Sequence, residues 1–326
     1  MKSSNTSTNC NNICVFAGSG RVGSNYILSS VRSDKSYYCL GEFFNNIPWN
    51  VVVYMEIIKC MLEEENPSVF KFKDWMVESM LFLRRNIKYM FSQNGVLDKD
   101  GEEMDRFLKI DVMDLYITAT KFFNDINKNT VHKLFTTNTT FAPSVPHPRQ
   151  IHPTSRPSKK QHRINIDNIL NICDTIIIPY RKNALSIYIS DKKAWINNIY
   201  YIDSKGVNQH RLKESQDYKV LWDKEEYIST FNHLDNNHQY MFNEIYNKFN
   251  GAKCVVNFED LHSKNDKVSY LQYIYDKDNI NVKINRDEFN PTVKQSKDQP
   301  LEDHFTNPEE FLKDLPDIPI FLNYEY

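Results

Sequence analysis

Three of the chain's eight glycines fall within six residues, Gly18-Ser19-Gly20-Arg21-Val22-Gly23. A short apolar run, Ile13 to Ala17, precedes them, and an apolar pattern resumes from Tyr26 to Val31. That order predicts strand, tight loop, helix. Glycines in such a turn let the backbone approach a phosphate, and the first amides of the helix then point at the anion. The chemistry implied is the holding of a phosphate-bearing ligand; a tight turn with no ligand is the plainer alternative. The string also fits GxGxxG, the dinucleotide fingerprint, with Glu42 lying 24 residues beyond Gly18 as the acidic residue for a ribose. That fingerprint gives Arg21 no task. The pattern GxxxxGK[ST] is absent, so no lysine is supplied for a γ-phosphate, which disfavours a nucleoside kinase.

A second cationic turn, Arg181-Lys182-Asn183, follows the β-branched run Thr175 to Tyr180 and precedes an amphipathic stretch. Arginine at a strand's end, beside a helix N-terminus, can grip a phosphate dianion from two sides. Ser190 lies nine residues after Arg181 and eight after Lys182, so either cation could lead. Arg181 is preferred for its bidentate fork. A solvated helix start is the bland alternative.

Ser19-Gly20-Arg21-Val22-Gly23-Ser24-Asn25 resembles the 5′-phosphosulfate loop of sulfotransferases that use 3′-phosphoadenosine 5′-phosphosulfate (PAPS), with Val22 where Ser is usual and Asn25 where Thr is usual. The strand, Arg181 and Ser190 resemble the 3′-phosphate site of the same family. Val255-Val256-Asn257-Phe258-Glu259-Asp260-Leu261 resembles its late strand ending in [YF]-E-D-L, and Lys294-Gln295 with Pro300-Leu301 and Asn307 its C-terminal segment, which closes over the nucleotide. Tyr38 through Asn45, centred on Gly41-Glu42, resembles the segment of the Glu-using, carbohydrate-type branch. The resemblance implies a P-loop-like three-layer α/β fold and sulfuryl transfer from PAPS to a hydroxyl, leaving PAP. It implies Glu42 as general base and Arg21 at the leaving phosphate. Cofactor contacts would come from Ser19, Gly20, Arg21, Val22, Gly23, Ser24, Asn25, Arg181, Ser190 and Lys294, with no metal. Lys133 is a further leaving-group contact, and His132 a weaker candidate base. A NAD(P)-dependent oxidoreductase and a non-catalytic nucleotide-binding protein are the competing readings.

These residues need a scaffold to bring them together. Short apolar runs at Ile13–Ala17, Val131–Phe135, Thr175–Tyr180 and Lys253–Phe258 alternate with helical patterns near Ile166–Ile172, Arg181–Tyr200 and Lys224–Phe249. A parallel sheet with helical cover follows. Residues 1–11 read as a disordered tail and 12–326 as one domain, with a helical insertion about 51–126 and a basic, Pro-rich loop at 143–163. Five of the thirteen prolines fall between Pro143 and Pro157, and no carboxylate occurs from Ile126 through Ile166. Lys+Arg 40 against Asp+Glu 42 leaves no global field, so nucleic acid is not an expected partner and any anion site is local. The six cysteines show no CxxC pair and read as reduced core thiols rather than a disulfide frame or zinc site. No apolar run approaches the ~20 residues that span a bilayer, and the polar N-terminus lacks a signal sequence, so a cytoplasmic protein is expected. The acceptor, a carbohydrate or another small molecule, and the oligomeric state are not legible.

Overall fold

β1 (Asn12–Ala17) is buried along its whole length, as its continuous apolar run requires of a central strand. In the computed structural model, which describes residues 11–41, 112–135, 166–197, 219–290 and 300–322, it lies at the middle of a five-stranded parallel sheet. The strand order is β2 (Tyr37–Gly41), β3 (Asn129–Phe135), β1, β4 (Thr175–Tyr180), β5 (Ala252–Asn257). The parallel sheet and its alternating elements agree with the α/β expectation. The expectations for residues 1–10, 51–111 and 143–163, and for Glu42 and Lys294, lie outside the described residues. Asn11, counted with the tail, is instead tied to the sheet: its amide donates to Asn129 Oδ1 at 2.7 Å, and its Oδ1 accepts from Thr175 Oγ1 at 3.0 Å.

Alternation along the strands sorts the core into two layers. Ile13, Val15, Val131, Ile177 and Val256 face one side, where Tyr26, Ile27 and Val31 of α1 (Ser24–Arg32) pack beside Leu271 and Tyr275. Cys14, Phe16, Leu134, Ile176 and Ile178 face the other. They are covered by α2 (Val112–Asp125), α3 (Ile166–Ile172) and α5 (Lys224–Tyr240), which continues as a π-helical stretch, Met241–Tyr246. α4 (Ala184–Asn197) links this layer to an aromatic cluster of Tyr188, Trp222, Tyr227, Phe305 and Phe311. The Lys253–Phe258 run ends one residue early as a strand, because Asn257 accepts from the amide of Asp260 and starts the short helix α6 (Phe258–Ser263).

The sheet splits at its carboxyl end. β1 and β4 pair through Ile13–Thr175, Cys14–Ile176 and Val15–Ile177, and there the pairing stops. Beyond it β1 stays with β3 to Ala17, and β4 stays with β5 to Tyr180. The chain leaves β1 toward one edge of the sheet and β4 toward the other, which is the topological switch point where open α/β sheets hold ligands.

Candidate functional site

Two turns flank this split, and both carry an arginine. The first begins at Gly18, where β1 ends against the far layer. A Cβ built on Gly18 would come within 2.6 Å of His238 Cδ2, so only glycine lets that imidazole close the floor. Arg21 and Gly23 both take left-handed backbone, with φ of 63° and 85°. Val22 between them does not, and such alternation turns successive amides toward one side, an anion-binding concavity. Gly23 is fixed twice over, by its φ and by Phe258, whose Cδ2 lies 2.8 Å from where a Cβ would stand. Gly20 differs, for a Cβ there meets no atom within 4 Å. Its lack of a side chain keeps space open rather than satisfying a neighbour.

α1 starts directly from this turn. Its N-cap is Gly23, and no side chain caps it. Among the described residues nothing accepts a hydrogen bond from the amides of Val22, Gly23, Ser24 or Asn25. First-turn amides are normally satisfied by a cap, water or a ligand. Val22, where the sulfotransferase loop has Ser, is 1% exposed and part of the core, so it can offer only its amide. Ser19 is buried with its hydroxyl on the Gly20 carbonyl at 3.2 Å. Asn25 Oδ1 accepts from the buried Lys133 Nζ, which rises from β3 on the α1 face and lies 4.9 Å over the Phe135 ring. The period of two along β3 sends the neighbouring His132 to the opposite face.

The second turn reaches the first directly. Arg21 Nε donates to Ser190 Oγ on α4 at 3.1 Å, and Arg181 Nη1 donates to the Arg21 carbonyl at 3.2 Å. Residues 160 positions apart thus share one crevice. The Arg181 guanidinium stacks on the Phe258 ring at 4.6 Å, so Phe258 supports both Gly23 and Arg181. Burial pulls Arg181 down to about 10, with Arg21's like charge adding to it and Glu259 opposing it. It is still a cation at neutral pH. Lys182 is exposed.

One expectation fails at this turn. The backbone half of the two-sided grip is largely taken, because Glu259 accepts through Oε2 from the Lys182 amide and through Oε1 from the Asn183 amide, each at 3.1 Å, and the Ala184 amide donates to the Ile320 carbonyl at 2.9 Å. Asn183 Oδ1 takes the Ser186 amide at 2.8 Å. With these amides engaged, the Arg181 and Ser190 side chains are what this turn has to offer an anion.

Two residues escape sequence reasoning. Phe258 was visible only as part of a motif. His238, fully buried on α5 just before the π-helical stretch, touches Gly18 and stands edge-on to Tyr180 at 5.2 Å, bridging the floor between the two diverging strands. Neither of its ring nitrogens has a hydrogen-bond partner among the described residues. Burial holds it neutral, with its pKa lowered to about 4. His132 lies within the core beneath the sheet, where it shares a 3.2 Å hydrogen bond with Tyr116 and burial lowers it to about 3, so it is removed from any reacting group in the crevice. No helix among the described residues is long and apolar enough to cross a membrane. Compared with protein-family models, with curated proteins and with solved structures, the chain matches none of them.

Proposed function

We propose that this crevice binds PAPS and that the chain is a sulfotransferase. The observation that carries the reading is the direct contact of the two arginine turns, Arg21 with Ser190 and Arg181 with the Arg21 carbonyl. Two cations held this close repel one another, and a doubly phosphorylated adenylate bridging them would relieve that repulsion. The first turn, with its uncapped helix and open Gly20, suits the 5′-phosphosulfate; Arg181 and Ser190 suit the 3′-phosphate. The P-loop-like character belongs to the same proposal.

In the reaction the acceptor hydroxyl oxygen attacks sulfur in line, while the bond from sulfur to the bridging phosphate oxygen breaks. The electron pair departs on the phosphate of PAP, where Arg21, Lys133 and the loop amides stabilise it. Glu42, which follows Gly41 at the end of β2, takes the hydroxyl proton in this scheme. The strand order favours this reading over an oxidoreductase. In the classic dinucleotide fold β2 lies beside β1, so the acid ending β2 reaches the ribose held at the first turn. Here β3 separates them, and β2 is the edge strand.

Thermal denaturation with a ligand panel tests the proposal. PAP at 100 times its Kd should add about 2.7 kcal/mol of stability, while NADH and ATP at the same concentration leave Tm unchanged. Glu42→Gln should keep the PAP shift and lose sulfuryl transfer from labelled PAPS. Stabilisation by NADH without stabilisation by PAP ends the assignment.

A further inference from the structure

At the other end of the same strands, Cys14 of β1, His132 of β3 and Cys173, just ahead of β4, converge in the layer beneath the sheet. One donor atom from each lies within 4.8 Å of the other two, and all three residues are buried, Cys14 and His132 completely. The convergence is built by the sheet: Cys14 and His132 are register partners on adjacent parallel strands, so their side chains leave the same face ~4.8 Å apart. Cys173 enters because the Cys173 amide caps the end of α3 on the Ile169 carbonyl and the Asp174 amide pairs with the Asn12 carbonyl at 2.9 Å. Tyr116 of α2 completes the group. Its Oη lies 3.2 Å from His132 Nδ1 and 3.7 Å from Cys173 Sγ. Two soft thiols and a borderline imidazole thus lie together, with the harder phenol oxygen of Tyr116 against two of them.

We infer that Cys14, His132, Cys173 and Tyr116 form a closed structural zinc site, distinct from the crevice. Tetrahedral zinc with ordinary bond lengths sets its nitrogen and oxygen ligands about 3.4 Å apart and its sulfur and oxygen ligands about 3.6 Å apart. The two Tyr116 distances are close to those edges. Two thiolates and one imidazole are a donor set that selects zinc over hard cations. The charge also balances: as the two Zn–S bonds form, each thiol gives its proton to solvent while Tyr116 stays a neutral phenol, so a dication enters an apolar core without changing its net charge. With four protein donors and no open position, the ion would clip β1, β3, the lead into β4 and α2 together and take no part in turnover. The site lies roughly 13 Å below Gly18, four strand residues away. CxxC-type spacing cannot reveal it, because its ligands are neighbours across strands and not along the chain.

The test is metal analysis of the full chain, purified without chelator and then saturated with zinc and desalted. About one zinc per chain is expected, and cobalt exchange should give the thiolate charge-transfer and tetrahedral d–d bands of a two-sulfur site. Cys173→Ser, at the strand's lead-in rather than within the central strand, should lose the metal and lower Tm, and Tyr116→Phe should bind it more weakly. If Cys173→Ser does not fold, the wild-type cobalt spectrum decides by itself. A folded, zinc-saturated wild type that holds no metal overturns the site, as does zinc retained undiminished in folded Cys173→Ser. The metal content does not depend on PAP, so this test and the test of the crevice fail separately.

Discussion

β1 and β4 each end in a turn that carries an arginine and opens a helix, yet the two turns leave their backbone amides in opposite states. After β1 the helix start has no side-chain cap, and its preceding turn holds the unfilled space at Gly20. After β4 the Lys182 and Asn183 amides are held by the two oxygens of Glu259. The first turn therefore has backbone amides to offer the proposed anion, whereas the second has the side chains of Arg181 and Ser190. An acidic residue brought from 76 positions away decides the difference. The same sequence pattern of strand, arginine and helix yields two unlike sites.

The contrast breaks if the arginines are not what the ligand feels. Arg21→Ala and Arg181→Ala should each weaken PAP binding roughly a hundredfold in calorimetric titration, ~3 kcal/mol for a lost charge-assisted contact, while Lys182→Ala changes it little. An equal loss in Lys182→Ala would move the second site off Arg181. Next in size is an effect confined to the first turn's floor. His238 is neutral in the fold with a pKa of about 4, and when unfolded it titrates near 6.5. Between those values the unfolded chain binds a proton that the folded chain refuses, so stability is complete above pH 6.5 and falls as the pH drops toward 4, by about 3 kcal/mol in all. Urea denaturation of wild type and His238→Phe across that range checks it, since the variant should lose that part of the acid slope.

Smaller effects sharpen the distinction among glycines. Gly20→Ala should leave Tm nearly unchanged and weaken PAP about tenfold, because the added methyl enters space that only a ligand would use. Gly23→Ala should cost stability directly, on the order of 1–2 kcal/mol, through its φ and Phe258. The smallest change is expected for Glu259→Gln. It keeps one acceptor for the capped amides and removes the counter-charge beside Arg181, so PAP affinity should rise only a few-fold. A rise of a hundredfold would mean that the carboxylate occupies the phosphate's own place.

The legible parts of this fold are those fixed by local pattern. β1, β4 and β5 are apolar runs too short for helices, and the Gly18–Gly23 cluster announces its turn. β2 is an edge strand whose Tyr38 and Cys39 are only half-buried, so it has no run to read and emerges only from its pairing with β3. The helix Lys267–Lys277 is hidden in a charged, mixed stretch; its buried Leu271, Ile274 and Tyr275 make a narrow stripe among polar residues. At the site, residue types pointed to both arginines, but their meeting depends on the order of strands. Which carboxylate caps the second turn, and which imidazole lies beneath Gly18, are consequences of packing over long separations. Neither leaves a trace in spacing.

Arg21 holds a left-handed backbone angle that costs any residue with a Cβ about 1 kcal/mol relative to glycine. Heat resistance and the proposed ligand recognition therefore pull this position in opposite directions. Selecting randomised libraries for survival at high temperature would enrich glycine at position 21, and the hardiest clones would be those that had discarded the cation joining the crevice's two walls.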